Sequence, residues 1–346
     1  MTDRIMTLDC TLRDGGFALE DAYKNDIRPG QFTKQERDTI KEHMEKAGLD
    51  IIEIGAVEKT GTDKTGFAIY NRIEDAGSAL GKKNDDVLYA VFYRGPDISM
   101  DEIPDRAPGL PDITRVCIRY SELEKSLDFC EGLCKKGYKV FIQPMVTVRY
   151  TREELTLLAN RANDMGAYAL YFVDSYGYMT PEDVKAYFDF YDSILRDDIR
   201  IGFHAHNNME MAFANVLEFI SCSGARNIVI DSCASGMGQG TGNLQTEVIL
   251  NYLNNAHAKS YKTGHVYEVC ELIDKYNEGR LWGYHPVRFI PAANKTAYKF
   301  AMALKNNYDC SYREIDEILS DIPESMRYRY TPDDTKKLIA MRNGEV

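Results

Sequence analysis

Eight short apolar segments alternate with amphipathic stretches over the first 254 residues, and a chain patterned in this way is confined to folds built round a parallel sheet. The segments fall at residues 5–12, 51–56, 87–92, 114–119, 139–146, 168–173, 200–203 and 227–230. They read as mostly unbroken apolar runs, as strands covered on both faces do. Between them, residues 33–47, 121–136, 152–165, 181–195, 210–221 and 244–253 carry helical patterning, with Pro181 where a helix begins. Eight strand and helix units in about 250 residues predict a TIM barrel. A doubly wound sheet shows the same alternation, and the glycine-rich run 236–242 superficially suits its dinucleotide loop. Those glycines, however, fall at every second residue, follow the eighth strand, and have no acidic strand end about 20 residues beyond them.

Beyond residue 254 the strand signal stops. Helical patterns at 266–276, 297–305, 312–319 and 332–341 accompany a turn-rich segment, Leu281-Trp282-Gly283-Tyr284-His285-Pro286. The expected organisation is an α/β TIM barrel over residues 1–254 with a helical C-terminal extension over 255–346. The extension has too few strands for an α/β domain of its own and is expected to pack on the barrel or on a second copy, which leaves a homo-oligomer open. Hydrophobic residues at 44% and charged residues at 28% fit a globular protein with a sizeable core. The net charge of -12 disfavours nucleic acid and anionic membranes as partners. No apolar stretch approaches the roughly 20 residues that cross a bilayer, and the N-terminus lacks a signal-peptide core, so a cytoplasmic location is expected. The eight cysteines form no C-x-x-C pair and are expected to be mostly small core residues.

In a TIM barrel the chemistry sits at the C-terminal ends of the strands. On that frame Arg13-Asp14 ends strand one, Glu53 lies in strand two, Arg119 ends strand four, Asp174-Ser175 ends strand six, and His204 and His206 end strand seven. A glycine loop leading to Asn243 follows strand eight. Two histidines two residues apart on a strand point the same way. An aspartate at the same rim would complete an N,N,O site for a divalent cation, with positions left open for substrate. An H-x-H pair suits a hydrogen-bonded rim equally well. Packing alone does not predict so many polar groups converging on one rim.

The segments Leu8-Asp9-Cys10-Thr11-Leu12-Arg13-Asp14-Gly15-Gly16, His204-Ala205-His206-Asn207, and Gly240-Thr241-Gly242-Asn243 with Glu247 together resemble the motifs of the DRE-TIM metallolyase superfamily. That group takes in hydroxymethylglutaryl-CoA lyase, isopropylmalate and homocitrate synthases, the carboxyltransferase domain of pyruvate carboxylase, and 4-hydroxy-2-oxovalerate aldolase. The last resembles this chain most in loop length. The resemblance spans about residues 5–255 and implies that Asp14, His204 and His206 bind a divalent metal, with Asn243 completing or supporting its coordination. It implies that Arg13 holds the substrate oxygen that becomes an enolate, and that Glu53 lies near the metal's water. The implied reaction makes or breaks a carbon–carbon bond beside a 2-oxo acid through a metal-stabilised enolate, pyruvate being the expected donor and an aldehyde or acyl compound its partner. Mn2+ or Mg2+ is the expected ion, with Zn2+ a second fit because two of the ligands are imidazoles.

Two departures from the family bear on the reaction. The glycine loop lacks the catalytic cysteine of hydroxymethylglutaryl-CoA lyases, and Cys233, which precedes it, is expected to be a packing residue. Degradative 4-hydroxy-2-oxovalerate aldolases carry a histidine base three residues after the metal aspartate, where this chain has Phe17. Proton transfer must then come from elsewhere, and Tyr176, Tyr178, Tyr284 and His285 are the candidates because they lie in strand-end or post-barrel loops. Arg119 and Arg149 are candidates for a substrate carboxylate or phosphate. Two other readings stay open: a Claisen-type acyltransferase condensing acetyl-CoA with a 2-oxo acid, and a catalytically silent barrel acting as an interaction subunit.

Overall fold

A computed structural model describes residues 4–344. The main strands are β1 Ile5–Asp9, β2 Ile51–Val57, β3 Leu88–Tyr93, β4 Ile113–Ile118, β5 Lys139–Pro144, β6 Ala169–Asp174, β7 Arg200–Ala205 and β8 Ile228–Ser232. Each pairs in parallel with the next, and β1 pairs with both β8 and β2, which closes the sheet into the expected barrel. A two-residue strand, Ile69–Tyr70, adds to the C-terminal end of β2. Nearly every strand residue is buried, because side chains fill the barrel interior on one face and helices cover the other.

The barrel helices are α1 Thr11–Lys24, α2 Lys34–Ala47, α3 Ile73–Leu80, α4 Leu123–Lys135, α5 Arg152–Met165, α6 Pro181–Asp192, α7 Ala212–Cys222 and α8 Thr246–Ala256. Local sequence sets several of their ends. Thr33 with Glu36, Thr151 with Glu154, and Thr180 with Asp183 form reciprocal capping boxes, and Gly48 ends α2 in the left-handed conformation. The connection from β3 to β4 holds only the single turn Met100–Glu102, since Pro96, Pro104, Pro108 and Pro111 deny it a longer helix.

The first strand ends earlier than the apolar run 5–12 suggests. The Asp9 carboxylate accepts from Thr11 N at 3.1 Å and from Thr11 Oγ1 at 2.8 Å, which turns the chain into α1. Arg13 and Asp14 are therefore carried on the first turn of a helix, not on a strand end. Periodicity over so short a run cannot separate the two. Further along this helix, a Cβ built at Gly16 would lie 1.9 Å from the Phe67 carbonyl oxygen. Glycine is what lets α1 settle against the loop after β2.

After the barrel, α9 Thr263–Asp274 packs on α2, and Val266, Val269, Ile273, Tyr276 and Trp282 join the main core. The remaining helices are α10 Pro286–Ala293, α11 Lys299–Tyr308, α12 Tyr312–Ser320, α13 Glu324–Arg327 and α14 Pro332–Arg342. They gather round a second cluster that includes Phe300, Leu304, Ile315, Leu319 and Leu338. Three contacts tie this segment to the barrel mouth. Lys299 Nζ meets Asp21 Oδ1 at 2.6 Å, Tyr176 donates to the Tyr328 carbonyl at 2.8 Å, and Trp282 Nε1 donates to the Ser235 carbonyl at 3.0 Å. Among the described residues no helix is long and apolar enough to cross a membrane.

The contact at Gly16 gives a direct test of how α1 is seated. Gly16→Ala should lower the unfolding free energy by about 1–3 kcal/mol, the usual cost of forcing a methyl group into packed structure. A urea unfolding curve matching the wild type would show that α1 has room to shift.

Candidate active site

The site is assembled from elements far apart in sequence. The first turn of α1 brings Arg13 and Asp14 to the mouth, β7 brings His204, and His206 lies just past β7 in an antiparallel bridge with Asn243. The glycine loop is docked onto the histidine segment, with Asn207 N donating to the Gly242 carbonyl at 2.8 Å and Leu244 N to the Ala205 carbonyl at 3.1 Å. Ser235 N donates to Glu247 at 3.1 Å, which holds the loop from its far side. A Cβ at Gly238 would lie 2.2 Å from Asn243 Nδ2, so glycine makes room for that amide.

Asp14, His204 and His206 each present a ligand atom within 4.8 Å of the others. His204 Nε2 is 3.3 Å from Asp14 Oδ2, and the two imidazole centroids are 5.1 Å apart. Asn243 Nδ2 donates to Asp14 Oδ2 at 3.0 Å and to the Met237 carbonyl at 3.1 Å, while its Oδ1 is buried with no partner. Burial pushes the Asp14 carboxyl up, but the Arg13 guanidinium and His204 overcome it and hold the carboxyl well below the usual range. Burial likewise opposes a charge on His204, yet hydrogen bonds to Asp14 and Asp231 hold that imidazole well above its usual value. Burial and the neighbouring His204 charge lower His206 to about 4, which leaves it neutral. A buried carboxylate, two imidazoles and an unpartnered amide oxygen fit a divalent cation.

Behind these donors runs a closed circuit of buried ions. Arg13 Nη1 contacts Asp14, and Arg13 Nε donates to Glu53 Oε2 at 2.8 Å. Arg115 donates to the same Glu53 oxygen at 2.7 Å and also pairs with Asp231. Asp231 Oδ2 lies 2.9 Å from His204 Nδ1, and His204 closes the ring on Asp14. Tyr171 donates to the second Asp231 oxygen at 3.0 Å. Glu53 is thus fully buried, with one oxygen held between Arg13 and Arg115. Arg115, Asp231 and Tyr171 were not anticipated from sequence. For Arg115 and Asp231 the signal is a charge set within a strand buried on both faces, where it must be paired.

Above the circuit lies a cavity of about 680 Å3, lined by Arg13, Asp14, His204, His206, Arg119, Arg149 and Tyr176, among others. Residues 297–299 and 328–330 of the extension line it too. Phe17 stands in its wall with its ring edge-on to Phe92 and the Arg94 guanidinium 3.9 Å from its centroid. Several expectations need correction. His285 does not line the cavity; its Nδ1 accepts from Val287 N at 3.4 Å, so it serves as the N-cap of α10. Tyr178 and Tyr284 are also absent from the lining, and Tyr284 is exposed. Tyr176 lines the cavity, but its hydroxyl is engaged by the Tyr328 carbonyl. Arg119 is neutralised by Asp97 and by Glu122, the latter at 2.9 Å, so it is a salt-bridge residue at the rim. Cys233 is buried with its sulfur 3.3 Å from that of Cys10, which agrees with a packing role.

Residues 121–273 match the HMGL-like family model. The oxaloacetate decarboxylase of Mycobacterium tuberculosis is 32% identical over 248 residues, covering 71% of this chain and 68% of that protein. The chain belongs to the HMGL-like family of DRE-TIM metallolyases, and it is a carbon–carbon lyase. The 4-hydroxy-2-oxovalerate aldolase of Geobacillus genomosp. 3 is 30% identical over 253 residues, 72% of this chain and 70% of its own. The carboxyl transferase domain of Rhizobium etli pyruvate carboxylase, solved with pyruvate and biocytin, shares the fold with a TM-score of 0.70 at 13% identity. That likeness covers 99% of this metallolyase and 61% of the other chain, so it includes the helical extension.

The link from Asp231 to His204 is open to measurement. Asp231→Asn keeps the shape but removes the charge that orients the imidazole, and should weaken Mn2+ binding about 10–100-fold. Calorimetric titration giving an unchanged affinity would show that Asp231 serves the circuit alone.

Proposed function

We propose that this metallolyase cleaves, and in reverse forms, the bond between C3 and its substituent in a 2-oxo acid, with pyruvate as the carbon skeleton that gains the electrons. The carrying observation is the convergence of Asp14, His204 and His206 donor atoms beside the buried Arg13 guanidinium at the barrel mouth. A divalent cation, Mn2+ or Mg2+ for a mixed nitrogen and oxygen donor set, would be held by Asp14, His204 and His206 and would polarise the 2-oxo acid as a Lewis acid.

Arg13 supplies the second electrophilic element. Glu53 and Asp14 fix its guanidinium, and Phe17 and Phe92 flank it with ring centroids 5.7 and 4.7 Å away. This apolar wall lowers the local dielectric and strengthens the guanidinium's pull on negative charge. As the bond to C3 breaks, its electron pair forms the C2–C3 double bond while the carbonyl π pair moves onto the C2 oxygen. Planar donors already in place stabilise that oxygen without reorganisation. C3 of the enolate then takes a proton from water as the C2 carbonyl re-forms, giving the 2-oxo acid product.

Phe17 favours one form of this reaction. Retro-aldol cleavage needs a base to take the proton of the C4 hydroxyl as it becomes the aldehyde carbonyl, whereas a carboxylate leaves as CO2 with no proton to remove. His204 and His206 are the only imidazoles lining the cavity among the described residues, and Phe17 occupies the position of the aldolase base. Loss of a carboxylate from C3 therefore suits this site better than aldol cleavage, in keeping with the Mycobacterium tuberculosis relative.

The reading is checked by following the pyruvate methyl protons in deuterated water by NMR, with and without Mn2+, and by pyruvate release from oxaloacetate. Metal-dependent exchange or release is expected. Arg13→Lys should keep fold and metal yet lower the rate about 10²–10³-fold, because lysine lacks the planar fork. Wild-type protein inert in both assays would overturn the proposal, and full activity in Arg13→Lys would remove the arginine from the mechanism.

A further inference from the structure

The cavity holds more positive charge than its own carboxylates consume. Lys24 reaches Glu20 at 3.1 Å, Arg94 reaches Glu20 at 2.7 Å and Glu58 at 3.1 Å, and Lys299 reaches Asp21 at 2.6 Å. Arg13 and Arg119 are committed to the acids described above. Two lining cations remain, Arg149 and Arg329, and among the described residues neither guanidinium has an ion pair or a hydrogen bond. In a chain of net charge -12, acids to neutralise them are not scarce. They are left bare where a solute enters.

Their setting suits an anion. The Arg149 guanidinium lies 4.1 Å from the centroid of Tyr120 and 5.9 Å from that of Tyr328. Aromatic contact fixes such a group while leaving its in-plane N–H donors for a bidentate acceptor. Arg149 comes from the turn after β5 and Arg329 from the extension, beside the Tyr328 carbonyl that Tyr176 anchors. The space is also large. A cavity of about 680 Å3 lies within the range of roughly 300–1,000 Å3 that holds drug-sized ligands, far more than pyruvate or oxaloacetate fills.

We infer that Arg149 and Arg329 bind a terminal anionic group of the substrate, so that the preferred substrate is an extended 2-oxo acid carrying a carboxylate or phosphate at the end remote from its 2-oxo group. This rests on the 2-oxo acid chemistry proposed above and adds the identity of the other end. The extension thereby becomes part of substrate selection. The reacting end is held by Arg13 and the cation donors, and the tail by a pair of arginines that take no part in bond cleavage.

The test uses two acids of equal chain length, 2-oxoadipate and 2-oxohexanoate, which differ in the terminal carboxylate. Calorimetric titration of the Mn2+-loaded protein should give at least about tenfold tighter binding of 2-oxoadipate, the scale of one charge-assisted contact. Arg149→Met and Arg329→Gln should each bring the two affinities to within about threefold by weakening the diacid alone. Arg329 is exposed, so its replacement leaves the fold unstrained and keeps the test valid if the Arg149 variant misfolds. Equal binding of the two acids by wild-type protein, or parallel weakening of both in the variants, would overturn the inference. Replacing 2-oxoadipate by 3-phosphohydroxypyruvate separates the two kinds of tail: tighter binding identifies phosphate, weaker binding carboxylate. Failure of pyruvate, oxalate and both long acids to bind at all would instead overturn the 2-oxo acid chemistry itself.

Discussion

The circuit Asp14, Arg13, Glu53, Arg115, Asp231 and His204 is the constraint on which the site depends. Three carboxylates face two guanidiniums, and the remaining negative charge is balanced by a proton on His204 or by a cation in its place. Each ion is expensive to bury alone and tolerable only because both its neighbours are present. The arrangement therefore acts less as a source of stability than as a jig. It joins α1, β2, β4, β7 and β8 through side chains whose positions cannot change singly.

That jig explains how a site built from residues 13 to 243 keeps its geometry. Asp14 is approached by Arg13, His204 and Asn243, so its carboxylate has few orientations left. The same circuit turns Arg13 towards the mouth, where its charge is strengthened by the Phe17 and Phe92 rings. The proposed metal donors and the proposed electrophile Arg13 are thus held by one network, which is the preorganisation that stabilisation of developing charge requires.

The extension is more than a cover. Its helices have a small core of their own, yet three polar contacts tie the extension to the barrel mouth, and residues 297–299 and 328–330 complete the cavity wall. A barrel rim is open by construction. Closing it with a separate segment places part of the cavity wall on residues outside the barrel.

The sequence by itself determined the barrel, because eight strands buried on both faces leave a strong apolar signal whatever surrounds them. It also pointed, through the family resemblance, to the metal donors proposed here, since His204 and His206 share a face by strand geometry and the Arg13-Asp14 motif is local. What it left open followed from contacts between distant residues. The end of β1 at Asp9 depends on a side chain turning back onto Thr11, a contact that hydrophobic periodicity does not report. Arg115 and Asp231 lie on strands far apart in sequence, and only closure of the barrel pairs them. His285 and Arg119 carried suitable chemistry, but one is spent on a helix end and the other on two carboxylates. Arg149, unlike Arg119, has aromatic neighbours and no carboxylate partner among the described residues, and partners are decided by what lies nearby in space. Periodicity is a property of neighbours along the chain, whereas the availability of a charge is a property of the packed molecule.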